Sequence, residues 1–248
     1  MRRRTSRHGR DQGKRLEFLR KAKRELEEEA REKARTDGKA NPEAAVPKDG
    51  AQKNFTDPQS KIMKTSDRSF HQCYNAQAVV DEAHQIIIAA AITTQTSDVQ
   101  QLVPMVELVE RTCGKKARTV LADAGYWSDA NMSAMEEREQ RAYIATGRMK
   151  HGEQADAAPR GRIPAGLTRK ERMARMLRTK TGRAAYRRRK AIVEPVFGQM
   201  QTRQDARKLL LRGKAGAELE WHLLCAGHNL LKLFKTLGRA GLPMLSPC

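Results

Sequence analysis

Between Tyr74 and Gly147 the chain alternates short β-prone runs with longer helix-prone ones, and this alternation limits the fold more than any other feature. The segment "HQCYNAQAVVDEAHQIIIAAAITT" (71–94) holds two apolar runs, Tyr74 to Val80 and Gln85 to Thr93, split by a short polar turn, which predicts a hairpin. A helix is expected from Val99 to Arg111. The run Arg118 to Ala122 is short, partly β-branched and stopped by Gly125, so it predicts a buried strand. Ser128 is a suitable N-cap for a following helix, and "RAYIATG" (141–147) predicts one more strand. The order hairpin, helix, strand, helix, strand implies an α/β fold: a mixed sheet with one antiparallel side and helical crossovers.

Asp123 stands at the carboxyl end of the third strand. At that edge of an open α/β sheet the strands fix the backbone while the loops leave room for a ligand. Asp123 is therefore either a functional acid or a cap for the turn into the next helix, and one carboxylate alone does not choose between these.

Outside this region, residues 14–35 form a charge-laced helical segment with a thin apolar stripe of Leu16, Phe18, Leu19 and Leu26. Residues 36–52 are rich in Gly, Pro and small polar residues and are expected to form a linker. The expected organisation is a charged helix and linker over 1–52, a compact core over 53–238 and a tail over 239–248. The last helix of the core, 216–238, carries Trp221, Leu224, His228 and Leu231 on one face, with His228 as a satisfied core residue. Cys73, Cys113, Cys225 and Cys248 form no Cys-x-x-Cys pair, which fits a reducing compartment, and Cys225 with His228 suits core packing better than zinc. No apolar run approaches the ~20 residues that cross a bilayer, so a soluble, cytoplasmic protein is expected.

The net charge is +20, and most of it is local: residues 147–214 hold 20 Lys/Arg against 5 Asp/Glu. Such a field predicts a polyanionic partner. With 4% aromatic residues there are few stacking platforms, which favours the backbone of double-stranded DNA over single-stranded RNA. Within the basic stretch, "YRRRKAIVEPVFGQM" places Glu194 on one helical face with Arg187 and Lys190. A surface Lys–Glu pair would explain it, as would a second carboxylate for metal-assisted phosphodiester chemistry. Two Mg2+ ions about 4 Å apart need carboxylates to hold them and basic groups to hold the DNA.

"FTDPQSKIMKT", "YNAQAVVD", "VLADAGYWSDANM", "AYIATGR", "RRRKAIVEPVFGQM" and "HNLLKL" together resemble the core of bacterial insertion-sequence transposases of the DDE type, from about Asn54 to Leu233. The resemblance implies an RNase H-like mixed sheet with flanking helices and a Mg2+-dependent transposase, Mn2+ being an alternative. Such an enzyme cuts element ends, joins them to target DNA and works as a homo-oligomer near the bacterial nucleoid. Asp123 matches the family's second acid and Glu194 its third, both as metal ligands. Tyr186 and the arginines before Glu194 match its Tyr/Arg signature, which assigns Tyr186, Arg187, Arg189 and Lys190 to DNA.

The sequence also departs from the family. The first acid, on the first strand in an Asp-Gly-Thr motif, has no counterpart, so an N-terminally truncated chain is expected. Asp57 in "TDPQS" is the makeshift candidate, although an Asx-turn before Pro58 also explains it, and Asp81 in "VVD" reads as a hairpin-turn residue. The family's lysine seven positions after the glutamate is Gln201, and Pro195 is expected to kink or restart the helix at Glu194. The sequence thus supports a transposase, with a non-catalytic DNA-binding protein or inhibitor of a full-length transposase as the alternative. An RNA-binding accessory protein is less favoured.

Overall fold

A computed structural model describes residues 6–65, 68–147 and 159–238. The expected tail and part of the basic loop after Gly147 lie outside the described residues. The chain divides into two compact units, Met1–Tyr74 with Arg212–Lys214, and Asn75–Leu211 with Ala215–Cys248.

In the first unit, α1 (Ser6–Thr36) covers the predicted charged helix. Leu16, Phe18 and Leu19 remain exposed. The helix is tied down by charge: Lys53 pairs with Glu25 and Glu29, and Lys61 also reaches Glu29. An antiparallel ladder joins β1 (Lys61–Lys64) to β2 (Phe70–Cys73).

The second unit opens with the predicted hairpin, β3 (Asn75–Val80) and β4 (Ile87–Thr93), with a register shift at Val79/Val80. Asp81 is the turn residue expected of it. Its carboxylate accepts the N–H groups of Ala83 at 3.1 Å, His84 at 2.9 Å and Ile86, and Gln85 takes φ 58° to complete the turn. A 3-10 turn at Val99–Gln101 leads into α2 (Leu102–Cys113), which ends on Gly114 at φ 65°. Then β5 (Thr119–Ala122), α3 (Asp129–Glu137) and β6 (Arg141–Ile144) form a parallel β-α-β unit. Ser128 caps α3 as expected, its Oγ accepting from Asn131 N–H at 3.0 Å. Three helices complete the described chain: α4 (Arg169–Arg178), α5 (Lys180–Arg203) and α6 (Lys214–Leu237).

The mixed α/β architecture agrees with the RNase H-like expectation, but the strands do not join one sheet. Among the described residues they pair in three separate twos, β1 with β2, β3 with β4, and β5 with β6. In the second unit α2 does the joining. Leu102 and Val106 pack with Ala122, Ala142 and Ile144 of the parallel pair. Met105 and Val109 pack with Ala89 of the hairpin. One amphipathic helix thus buries two stripes against two ladders.

One helical expectation is corrected, and one further break appears. The basic helical stretch is not continuous, because Thr179 ends α4 and caps α5, accepting from Gly182 N–H at 3.1 Å. A Cβ at Gly182 would stand 2.0 Å from the Met176 carbonyl oxygen, so only glycine allows the two helices to meet this closely. Pro195, in contrast, does not interrupt α5. Proline removes the N–H that would serve the Ala191 carbonyl. That oxygen instead accepts from the Gln85 side-chain amide at 2.9 Å, which supplies the lost donor from the hairpin turn.

Candidate functional site

Asp123 follows β5 directly, and its Oδ1 accepts from Gly125 N–H at 2.9 Å. It is half-buried at the rim of a cavity of about 820 Å³ that lies wholly within the second unit. A second acid, Asp98, stands beside it. A Cβ at Gly125 would lie 2.9 Å from Asp98 Oδ2 and 3.1 Å from Asp123 Oδ1, so the two carboxylates face one small volume that glycine keeps open.

Asp98 is positioned from a distance. It occupies the N-cap of the Val99–Gln101 turn but its side chain caps nothing. Its Oδ1 accepts from Asn75 Nδ2 at 2.7 Å and Gln77 Nε2 at 2.8 Å. Gln77 in turn accepts from the Tyr126 hydroxyl. Burial, then the charges of Asp98 and Asp123, push the Tyr126 phenol well above its usual range, so it stays a neutral donor. Asp98, Asn75, Gln77 and Tyr126 do not stand out as site residues in the sequence. The only local signal was an acid before a helix, which reads as an ordinary cap.

The residues assigned on α5 fall on two sides of the helix. Arg189 lines the cavity and lies over the Tyr186 ring, 5.5 Å from its centroid. The Tyr186 phenol is raised by burial and by Asp123, and lowered by Arg189, which places all three in one electrostatic neighbourhood. Arg187, Lys190 and Glu194 are exposed, at helical spacing on the opposite side. Glu194 does not line the cavity that Asp123 borders. Asp57 lies in the first unit with both carboxylate oxygens engaged, accepting from the Tyr74 hydroxyl at 2.7 Å and from Gly213 N–H at 3.1 Å. That geometry replaces the expected Asx-turn. His228 and Cys225 are core residues: His228 Nε2 meets the Gln85 carbonyl oxygen at 3.0 Å, and burial pushes the Cys225 thiol up to about 12.

A family model described as the transposase DDE domain matches residues 35–230. The chain belongs to that family. No curated protein and no solved structure matches it. DDE transposase domains depend on a divalent metal. Mg2+ is commonly held by one or two carboxylates with water filling the octahedron, so two carboxylates of this transposase could hold one such ion. Asp98 Oδ2 and Asp123 Oδ1, the two oxygens that approach the Gly125 position, could serve as the donors, Asp123 Oδ1 while also accepting from Gly125 N–H. Among the described residues no group of three His, Cys, Asp or Glu side chains is placed to hold a metal. No described helix of the transposase is long and apolar enough to cross a membrane.

Proposed function

We propose that this chain is an insertion-sequence transposase domain that holds double-stranded DNA along the basic side of α5 and presents Asp123 and Asp98 as the metal-binding edge of an incomplete phosphoryl-transfer site. The observation that carries this reading is the convergence of the two carboxylates on one volume, beside Tyr126 and Arg189, at the end of β5. Mg2+ or Mn2+ would supply charge neutralisation at the phosphate and a polarised water or hydroxyl nucleophile. The residues of the chain do the rest. Asn75 and Gln77 hold Asp98 in one orientation, Asp123 is fixed by the Gly125 turn, and the neutral Tyr126 phenol keeps Gln77 aligned. Arg189 places a cation where a phosphate would approach.

Two carboxylates hold one ion well and two ions poorly, because two dications repel and each needs near-octahedral oxygen. Glu194, the family's third acid by resemblance, is on the exposed side of α5. The chain is therefore expected to bind DNA and one divalent ion without cutting or joining strands, which is the behaviour of an occupant or inhibitor of element ends. A strand-cleavage assay on native element ends, with Mg2+ or Mn2+ and an Asp123→Ala control, tests this. Metal-dependent nicking that vanishes in the control would establish a complete cleaving enzyme instead, one that supplies its own third ligand. A homo-oligomer on DNA and a place near the bacterial nucleoid belong to the same reading.

A further inference from the structure

Helix α6 has two apolar faces, and only one of them is covered. Ala217, Trp221, Cys225 and His228 are buried. Polar anchors fix that side. Trp221 Nε1 donates to the Gln77 carbonyl oxygen at 3.0 Å, His222 Nε2 and His228 Nε2 meet the carbonyl oxygens of Ala90 and Gln85, and Asn229 bonds the backbone of Ile87. All of these bonds end on the hairpin of β3 and β4 or on its turn, so the helix cannot roll about its axis.

The opposite side carries Leu219, Leu223, Ala226, Leu230, Leu233 and Leu237, spaced by 4, 3, 4, 3 and 4 residues. That repeat gives a helix a continuous apolar seam for a partner helix. All six residues are exposed, the leucines by 48% to 71%, and Phe234 lies beside them, also exposed. The seam is about 27 Å long. Single exposed leucines are ordinary on a protein surface, whereas a row of five at this spacing marks an interaction site. Packing within the chain does not account for the row, because Trp221 and His228, which pack inward, fall half a turn away from it.

The pattern also indicates what fits. An antiparallel copy of the same helix, centred on residue 228 of each chain, sets Leu219 against Leu237, Leu223 against Leu233 and Ala226 against Leu230. The small residue then meets a large one. A parallel copy would set Ala226 against itself and leave a gap. Charge points the same way. Glu218 and Glu220 stand near the start of the seam and Lys232 and Lys235 near its end, so antiparallel helices bring unlike charges together and parallel helices bring like charges together. Glu220 also fixes one more apolar group there: its carboxylate accepts the N–H groups of Leu210 and Leu211 at 2.7 Å, and the Leu210 side chain is exposed.

We propose that α6 is a homodimer interface, pairing with α6 of a second copy of this chain, antiparallel across a two-fold axis and without need of DNA or metal. The same face is used by both copies, so the assembly closes at two. It stands apart from the metal and DNA reading above, since no seam residue borders the Asp123 cavity.

Sedimentation velocity of the full chain at about 50 μM, without DNA or metal, tests this. A dimer is expected. Leu223→Glu combined with Leu230→Glu should weaken association by about a hundredfold or more and give a monomer, because pairing would bury both charges. Both positions are exposed in the single chain, so its far-UV circular dichroism should not change. Disulfide trapping in a Cys113→Ser, Cys248→Ser background reads the direction. Leu219→Cys and Leu237→Cys chains should cross-link when mixed and not when alone, because like positions lie about 27 Å apart in the antiparallel pair. A monomeric wild-type chain, a dimer that survives the paired glutamates, or a cross-link in Leu219→Cys alone would each overturn the proposal. So would a chain that dimerises only after residues 239–248 are removed, which would make its own tail the occupant of the seam.

Discussion

At the residue scale the informative position is Asp98. From sequence it is an acid preceding a helix, and the N-cap rule absorbs it. Its partners Asn75 and Gln77 lie 23 and 21 residues away on a strand, a relation that no local spacing reveals. Asp123 was legible because a strand, an acid and a glycine occur together. Replacing Asp98 with Asn keeps an acceptor for both amides but removes the charge. Mg2+ affinity, read by calorimetric titration, should fall by about tenfold or more while the melting temperature barely moves. Asp98→Ala should instead cost about 1–3 kcal/mol in urea unfolding, because two amide donors lose their acceptor. The raised phenols of Tyr74 and Tyr126 fix a pH dependence. Their folded pKa values exceed the ordinary value of 10.0, so their contribution to stability is complete below about pH 10 and is lost as the pH rises beyond it. Chemical denaturation at rising alkaline pH should show this loss, and Tyr126→Phe should reduce it.

At the scale of elements, hairpin, helices and the β-α-β unit were all visible from periodicity and caps, since each depends on neighbours within a few residues. Two interruptions were misjudged because their causes are remote. Pro195 was expected to disturb α5, but the donor it lacks comes from Gln85, 106 residues from the carbonyl at Ala191. The break at Thr179 was not expected, because the close approach of Gly182 to Met176 is a tertiary fact. Gly182→Ala should destabilise by about 1–3 kcal/mol or more, since the Met176 carbonyl it would meet is backbone that cannot rotate aside. In a double-mutant cycle, Gln85→Ala should be costly with Pro195 present and close to neutral in a Pro195→Ala background, where a backbone N–H again serves Ala191. Additive effects in that cycle would show that the Gln85 amide carries no such role.

At the scale of the molecule, the charge pattern predicted a polyanionic partner and the family match agrees, although the relation of Glu194 to Asp123 was not legible because it depends on which side of α5 meets the cavity. DNA affinity should fall steeply with salt. Charge reversal at Arg187 and Lys190 should weaken binding on every sequence and flatten the salt slope by about one to two units, as filter binding across a salt series would show. Arg189→Glu should also alter the Tyr186 environment, which the exposed pair should not. A last consequence belongs to Asn229. Its amide donates to and accepts from Ile87 as a neighbouring strand would, so the outer border of the hairpin is closed at Ile87 by a side chain. A fibre grows only when each added unit offers a fresh border to the next. With the backbone of Ile87 already satisfied in this way, an in-register strand cannot pair at that position, and the outer border of the hairpin offers no continuous seed for polymerisation.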